Sequence, residues 1–189
     1  MNFSNVTTAA IALIFAAPLC AQEADAPKFE TGPVFADFGP HAPVEGLKPF
    51  PDDVQFAIAF DVAAKADDGA RNRGFESAAR FMNMHAAAGV PESSIDLVVV
   101  VHGKAVLDLL SDGAWDARQP ADRDGPLQNP SAAMVQAMLD KGVRFVVCGQ
   151  SAAANGVTKE QLIPDVQIEL SAMTAHALLQ QQGYTVNPF

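Results

Sequence analysis

The chain has 189 residues, 49% of them apolar, which suffices for one domain with a real core and an added extension. Its net charge of −10 and pI of about 4.6 argue against nucleic acid, whose phosphates need clustered Lys and Arg, and against an anionic membrane surface. Charge of this sign and size favours solubility.

Ala9 to Ala17 (AAIALIFAA) is an apolar run too short to span a bilayer. Pro18-Leu19-Cys20-Ala21 before Gln22 reads as a cleavage region with Ala21 the last residue removed, so 1–21 has the pattern of a signal peptide. The preceding MNFSNVTT carries no Lys or Arg. A lipoprotein would instead keep Cys20 as the acylated residue, but Ala17-Pro18-Leu19 lacks the small residue normally beside such a Cys. Export by this route predicts a periplasmic protein. No later segment is long and apolar enough to be transmembrane. Cleavage removes one of two cysteines and leaves Cys148 without an intramolecular partner, which is unusual in an oxidising compartment.

Residues 22–52 are rich in Pro, Gly and Ala, with Phe29, Phe35, Phe38 and Phe50 among them. Prolines at 27, 33, 40, 43, 49 and 51 exclude regular helix or central strand. The aromatics predict an extended arm draped over the domain or a neighbouring subunit.

A regular domain occupies 53–189. Strands are predicted at Val54–Val62, Ile95–Val101, Val143–Val147, Val166–Leu170 and Tyr184–Val186; the unbroken run Leu97 to Val101 suits a strand covered on both faces. Phe75, Ala78, Ala79, Met82 and Ala86 share one helical face, and Phe81, Met84 and Ala88 form a second apolar stripe, to be covered by the arm or by another subunit. A helix over 130–141 opens with Asn129 as N-cap and Pro130 at its first position. Ser171 caps a last helix in which Ala172, Ala175, His176 and Leu179 share a face. Gly89, Gly142 and Gly183 each follow a helix and lead towards a strand. Ala66 to Gly69 is a turn, and Ser111 to Gln128 reads as a polar loop around Trp115. These junctions predict a three-layer α/β/α fold with a mainly parallel sheet of about five strands.

In such a sheet, ligands sit beyond the carboxyl ends of the strands. Two segments fall there: Val101-His102-Gly103 after the second strand and Val147-Cys148-Gly149-Gln150-Ser151 after the third. If those strands are neighbours, His102 and Cys148 share one rim. An imidazole and the amides of a following helical turn would both favour the thiolate, the reactive form of the thiol. The alternatives are ordinary: Cys148 as a small buried apolar side chain, and His102 bonded to a backbone carbonyl. His85 and His176 sit beside apolar residues on helices and read as packing residues. No pair of His has metal-site spacing, and one Cys cannot build a structural zinc site, so no metal is expected. Asp122-Arg123-Asp124-Gly125 lacks the ligands of a calcium loop. Neither a Gly-rich phosphate loop after the first strand nor a GxSxG elbow is present, so no cofactor is expected. A redox enzyme would want a resolving cysteine, which the processed chain lacks.

Gly142-Val143-Arg144-Phe145-Val146-Val147-Cys148, followed by Gly149 to Gly156-Val157, resembles the cysteine motif of the DsrE/DsrF-like family. The resemblance runs from about Val54 to the C-terminus and is weakest over 111–128. Val166 to Ala172 (VQIELSA) and the closing Gln182-Gly183-Tyr184 share it. Val101-His102-Gly103 and Asn83-Met84-His85 are similar to a secreted branch of such proteins. The resemblance implies a parallel-sheet fold, homo-oligomers such as trimers or hexamers, and a cysteine that carries a persulfide; by motif match that residue is Cys148. Family relay members work in the cytosol with partner subunits, whereas this chain carries an export signal and an arm. The expected function is an exported binder or carrier of sulfane sulfur, with His102 orienting or deprotonating Cys148 and Gly103, Gly149, Gln150 and Ser151 lining the site. Its partner would be a sulfur donor or acceptor, either a protein or a small sulfur compound. The alternative is a non-catalytic oligomeric binding protein in which Cys148 is structural.

Overall fold

The computed structural model describes residues 28–122 and 124–187. The expected signal peptide, with Cys20, lies outside them. Five strands form one sheet: β1 (Phe56–Val62), β2 (Ile95–Val101), β3 (Arg144–Cys148), β4 (Gln167–Glu169) and β5 (Thr185–Asn187). Their order is β4-β3-β2-β1-β5 and every pairing is parallel. The helices are α1 (Arg73–Ala87), α2 (Asp112–Asp116), α3 (Ala132–Asp140), α4 (Gly149–Ala154) and α5 (Ala172–Gln181). No helix among the described residues is long and apolar enough to cross a membrane.

The two faces of the sheet follow from the period-2 alternation of the strands. Phe60, Val62, Leu97, Val99, Val101, Phe145 and Val147 face one way, into a core shared with Phe75, Ala78, Ala79 and Met82 of α1 and Met134, Val135 and Met138 of α3. Ala59, Val98, Val100 and Val146 face the other way, against Ala175 and Leu179 of α5 and the ring of Tyr184. The central strands are therefore apolar on both sides, as the β-branched runs require. Gly89, Gly142 and Gly183 all have φ near +90°, the left-handed turn expected where a helix is reversed into the sheet.

Several boundaries differ from the sequence-based expectation. β1 begins at Phe56 instead of Val54, β3 runs one residue further to include Cys148, β4 is only three residues long, and β5 is shifted on by one residue. The expected loop 111–128 contains α2, and residues Gly103–Leu109 form a 3-10 helix. Asn129 is not the cap of α3. Its Oδ1 accepts the Ser131 amide and its Nδ2 donates to the carbonyls of Asp108 and Leu110, so α3 starts at Ala132. A short polar side chain that can satisfy its own backbone competes with helix initiation in this way.

The arm packs on its own domain. Phe35 and Phe38 are buried in the core, and the side chain of Asn83 on α1 binds the arm backbone at five points. Its Oδ1 accepts the amides of Val34 and Phe35, and its Nδ2 donates to the carbonyls of Phe35, Phe38 and Gly39. Phe50 meets Phe56 and His85 edge-on or tilted, and His85 stacks on Phe81 at 3.9 Å. The second apolar stripe of α1 is thus partly covered by the arm, with Met84 left 40% exposed.

Candidate functional site

The strand ends bring the predicted residues to one rim. Val101 of β2 pairs with Val147 of β3, so the residues that follow, His102 and Cys148, stand opposite each other on neighbouring strands. Alternation puts both on the face that α5 covers, since Val98, Val100 and Val146 belong to that face. His102 remains extended (φ −142°, ψ −170°), so the alternation carries through it. Asp61 of β1 falls on the same face, two residues beyond Ala59.

Cys148 ends β3 and caps α4, and its Sγ accepts the amide N–H of Ser151 at 3.4 Å. The residue is 6% exposed. Partial burial pushes the thiol pKa up, but hydrogen bonds from the Ser151 hydroxyl and from the amides of Ser151, Ala172 and Gln150 outweigh it and hold the pKa below its usual value. Ala172 is the first residue of α5, so amides at the start of two helices converge on one sulfur. Gly149 makes the approach of β4 feasible, because a Cβ there would stand 2.8 Å from the Glu169 carbonyl oxygen.

The other predicted site residues surround the thiol. The Ser151 hydroxyl accepts the Gly103 amide at 3.0 Å, and Asn155 Nδ2 donates to the Gly103 carbonyl at 3.3 Å. These bonds tie the turn after His102 to α4. Gln150 is exposed and donates to the Leu170 carbonyl at 3.3 Å.

His102 does not hydrogen bond the thiol; its Nε2 lies 3.1 Å and 3.3 Å from the two carboxylate oxygens of Asp61. None of the groups that lower the Cys148 pKa is an imidazole. His176, expected to be a packing residue, also serves this carboxylate, with Nε2 2.7 Å from Oδ1. Burial pushes the Asp61 pKa up, but the bonds to His176 and His102, together with their charge, overcome it and leave the carboxyl below its usual range. His85 packs as expected: burial lowers its pKa more than the bond to the Phe81 carbonyl raises it, which suits a neutral ring among aromatics. Among the described residues, no group of three or more His, Cys, Asp and Glu is arranged to hold a metal ion.

Asp61 also borders open space. A cleft of about 540 Å³ beyond the end of β1 is lined by Asp61, Lys65, Asn72, Arg73 and Gly74. Its wall is the 63–72 loop, pinned by buried Asp108, which accepts the Ala66 amide and Asn72 Nδ2, each at 2.7 Å. Neither Asp61 nor His176 stood out in the sequence. Asp61 looks like the polar end of an apolar strand, and His176 lies 115 residues away. The signal available was that Asp61 sits on the α5-facing side of β1 and that His176 lies on α5 next to Ala175, which packs on that side of the sheet.

No curated protein matches the chain. A solved protein of unknown function, MTH1491 from Methanobacterium thermoautotrophicum, is similar in fold, with a TM-score of 0.50 and 16% identity over 71% of this chain and 100% of that one. The ychN protein from E. coli is 18% identical over the same shares of the two chains, with a TM-score of 0.47. The family model for the DsrE/DsrF-like family matches residues 55–188, which contain all five strands and leave out the arm. The chain belongs to the DsrE/DsrF-like family.

Proposed function

We propose that this protein binds and passes on sulfane sulfur as a persulfide on Cys148. The observation that carries the reading is the Cys148 sulfur itself. It occupies the end of a central parallel strand, with the Ser151 amide at 3.4 Å and its pKa held below the usual thiol value. In the reaction, the thiolate attacks the outer sulfur of a donor R–S–SH. A Cys148–S bond forms as the donor S–S bond breaks, and R–S⁻ leaves with the electron pair. The product is Cys148–S–SH, and no external oxidant or reductant is needed. Export to the periplasm and assembly of several copies belong to the same proposal. The first follows from the N-terminal sequence. The second is supported by apolar surface beside the thiol, where Leu170 is 69% and Met173 80% exposed.

Mass spectrometry of the folded, processed protein after polysulfide treatment tests it. The expected result is a gain of about 32 Da, one sulfur, that maps to Cys148 and is lost in Cys148→Ser. Absence of the adduct, together with a thiol that resists alkylation, overturns it. The 6% exposure of Cys148 favours a second reading, a binding protein in which this cysteine is structural. That reading expects Cys148→Ser to leave every activity intact.

A further inference from the structure

Asp61, His102 and His176 come from β1, the end of β2 and α5, and meet through one carboxylate. Both imidazoles direct Nε2 at Asp61, and a carboxylate below its usual pKa can only accept, so each Nε2 carries a hydrogen. The remaining nitrogens differ. His176 Nδ1 is buried and has no hydrogen-bond partner. A lone pair is tolerable there, whereas a second N–H would be left buried without an acceptor. His176 Nε2 thus serves as a donor to Asp61, while its Nδ1 faces no acceptor. His102 is more open, with its side chain 31% exposed against 17% for His176. Of the two rings, that of His102 is the one more open to a reactant at the rim.

The placement of His102 beside Cys148 is built. The two follow paired residues of adjacent strands, which stand about 4.8 Å apart, and share the α5 face. The Gly103–Ser151 and Gly103–Asn155 bonds fix the backbone after His102 to the helix that follows Cys148, and the Ser151 hydroxyl contacts the thiol itself. A base oriented by a carboxylate next to a thiol is the arrangement that proton transfer to and from sulfur requires.

We propose that Asp61, His102 and His176 form the proton-exchange centre of the Cys148 site, with His102 the catalytic residue and Asp61 and His176 positioning it. This rests on the sulfur-carrier reading and names the groups that handle its protons. After Cys148–S⁻ takes the outer sulfur of R–S–SH, the departing R–S⁻ takes the Nδ1 proton of the His102 imidazolium and leaves as R–SH. Neutral His102 then removes the proton of Cys148–S–SH, giving Cys148–S–S⁻ and restoring the imidazolium. The sum is Cys148–S⁻ plus R–S–SH giving Cys148–S–S⁻ plus R–SH, with no net change in protons or electrons. The other ionisable groups near the rim are Glu169 of β4, level with Cys148, Lys65, Asp67 and Arg73 around the cleft beside Asp61, buried Asp108 behind the wall of that cleft, and exposed Lys104 after His102. α5 contributes only His176, and β5 contributes none.

The test is single-turnover loading of the full processed chain with glutathione persulfide, followed by transfer to a small dithiol, from about pH 5 to about pH 9. H102Q is expected to slow transfer about a hundred-fold. D61N and H176Q are expected to slow it about ten-fold, and D61N to move the pH–rate profile to lower pH, because the imidazolium loses its counter-charge. A structural defect would lower the rate without moving the profile, and thermal unfolding identifies any variant that fails to fold. Should D61N prove unfolded, H102Q decides the matter. Parent protein that loads sulfur, with H102Q and D61N profiles superimposed on it, overturns this proposal alone. Parent protein that takes up no sulfur overturns the carrier reading and this proposal with it.

Discussion

Cys148 can sit under the rim because its successor has no side chain. A methyl group at 149 would press on the Glu169 carbonyl at 2.8 Å, and backbone on an adjacent strand has little room to yield. Gly149→Ala is therefore expected to cost about 1–3 kcal/mol, read as a lower midpoint in denaturant, and to raise the pH at which Cys148 becomes reactive. Ser151→Ala tests the same geometry from the other side. It deletes the hydroxyl that contacts the thiol and accepts the Gly103 amide, so the pH dependence of alkylation should shift upward, with about 1 kcal/mol of stability lost for the unpaired amide. At this scale the sequence was informative about Cys148, His102 and the glycines, because an apolar strand run ending in a reactive residue is a local pattern. It was silent on Asp61, and it gave His176 the look of a packing residue. Their meeting depends on β1 and α5 being packed together, and no local pattern encodes that.

Among the elements, α1 carries the least expected residue. Asn83 is fully buried in a helix whose neighbouring inward positions are apolar, and its amide replaces five backbone partners that the proline-rich arm cannot find in a sheet. Asn83→Ala is expected to destabilise the protein by at least about 2 kcal/mol and to open residues 28–52 to protease while β1 to β5 stay protected. The helical face of Phe75, Ala78, Ala79 and Met82 was legible from its spacing, as were the glycine-ended helices. Residues 111–128 were less so. α2 is five residues of mixed polarity, too short to show a period, and Arg118 from its end donates to the carbonyls of Asn155 and Gly156 across the chain.

For the whole molecule, the parallel order β4-β3-β2-β1-β5 gathers the strand ends of β1, β2 and β3 into one rim, and the polar cluster occupies the side that α5 covers. This clustering has a consequence for stability against pH. A carboxyl whose folded pKa is depressed contributes stability that is present above its unfolded value and is lost as pH falls through the folded one. For Asp61 the unfolded value is about 4, so D61N should be less stable than the parent near neutrality, and the gap should close in acid below about pH 4. Equilibrium unfolding of the two proteins at several pH values measures it; a gap that stays constant into acid would contradict the depressed carboxyl.

The most direct test of the account is the pH dependence of Cys148 alkylation in the folded protein, compared with the same thiol in denaturant. The hydrogen bonds around Sγ predict reaction in the folded state with a midpoint below that of the unfolded control. A midpoint at or above the control, or a thiol that reacts only once the protein unfolds, would contradict it.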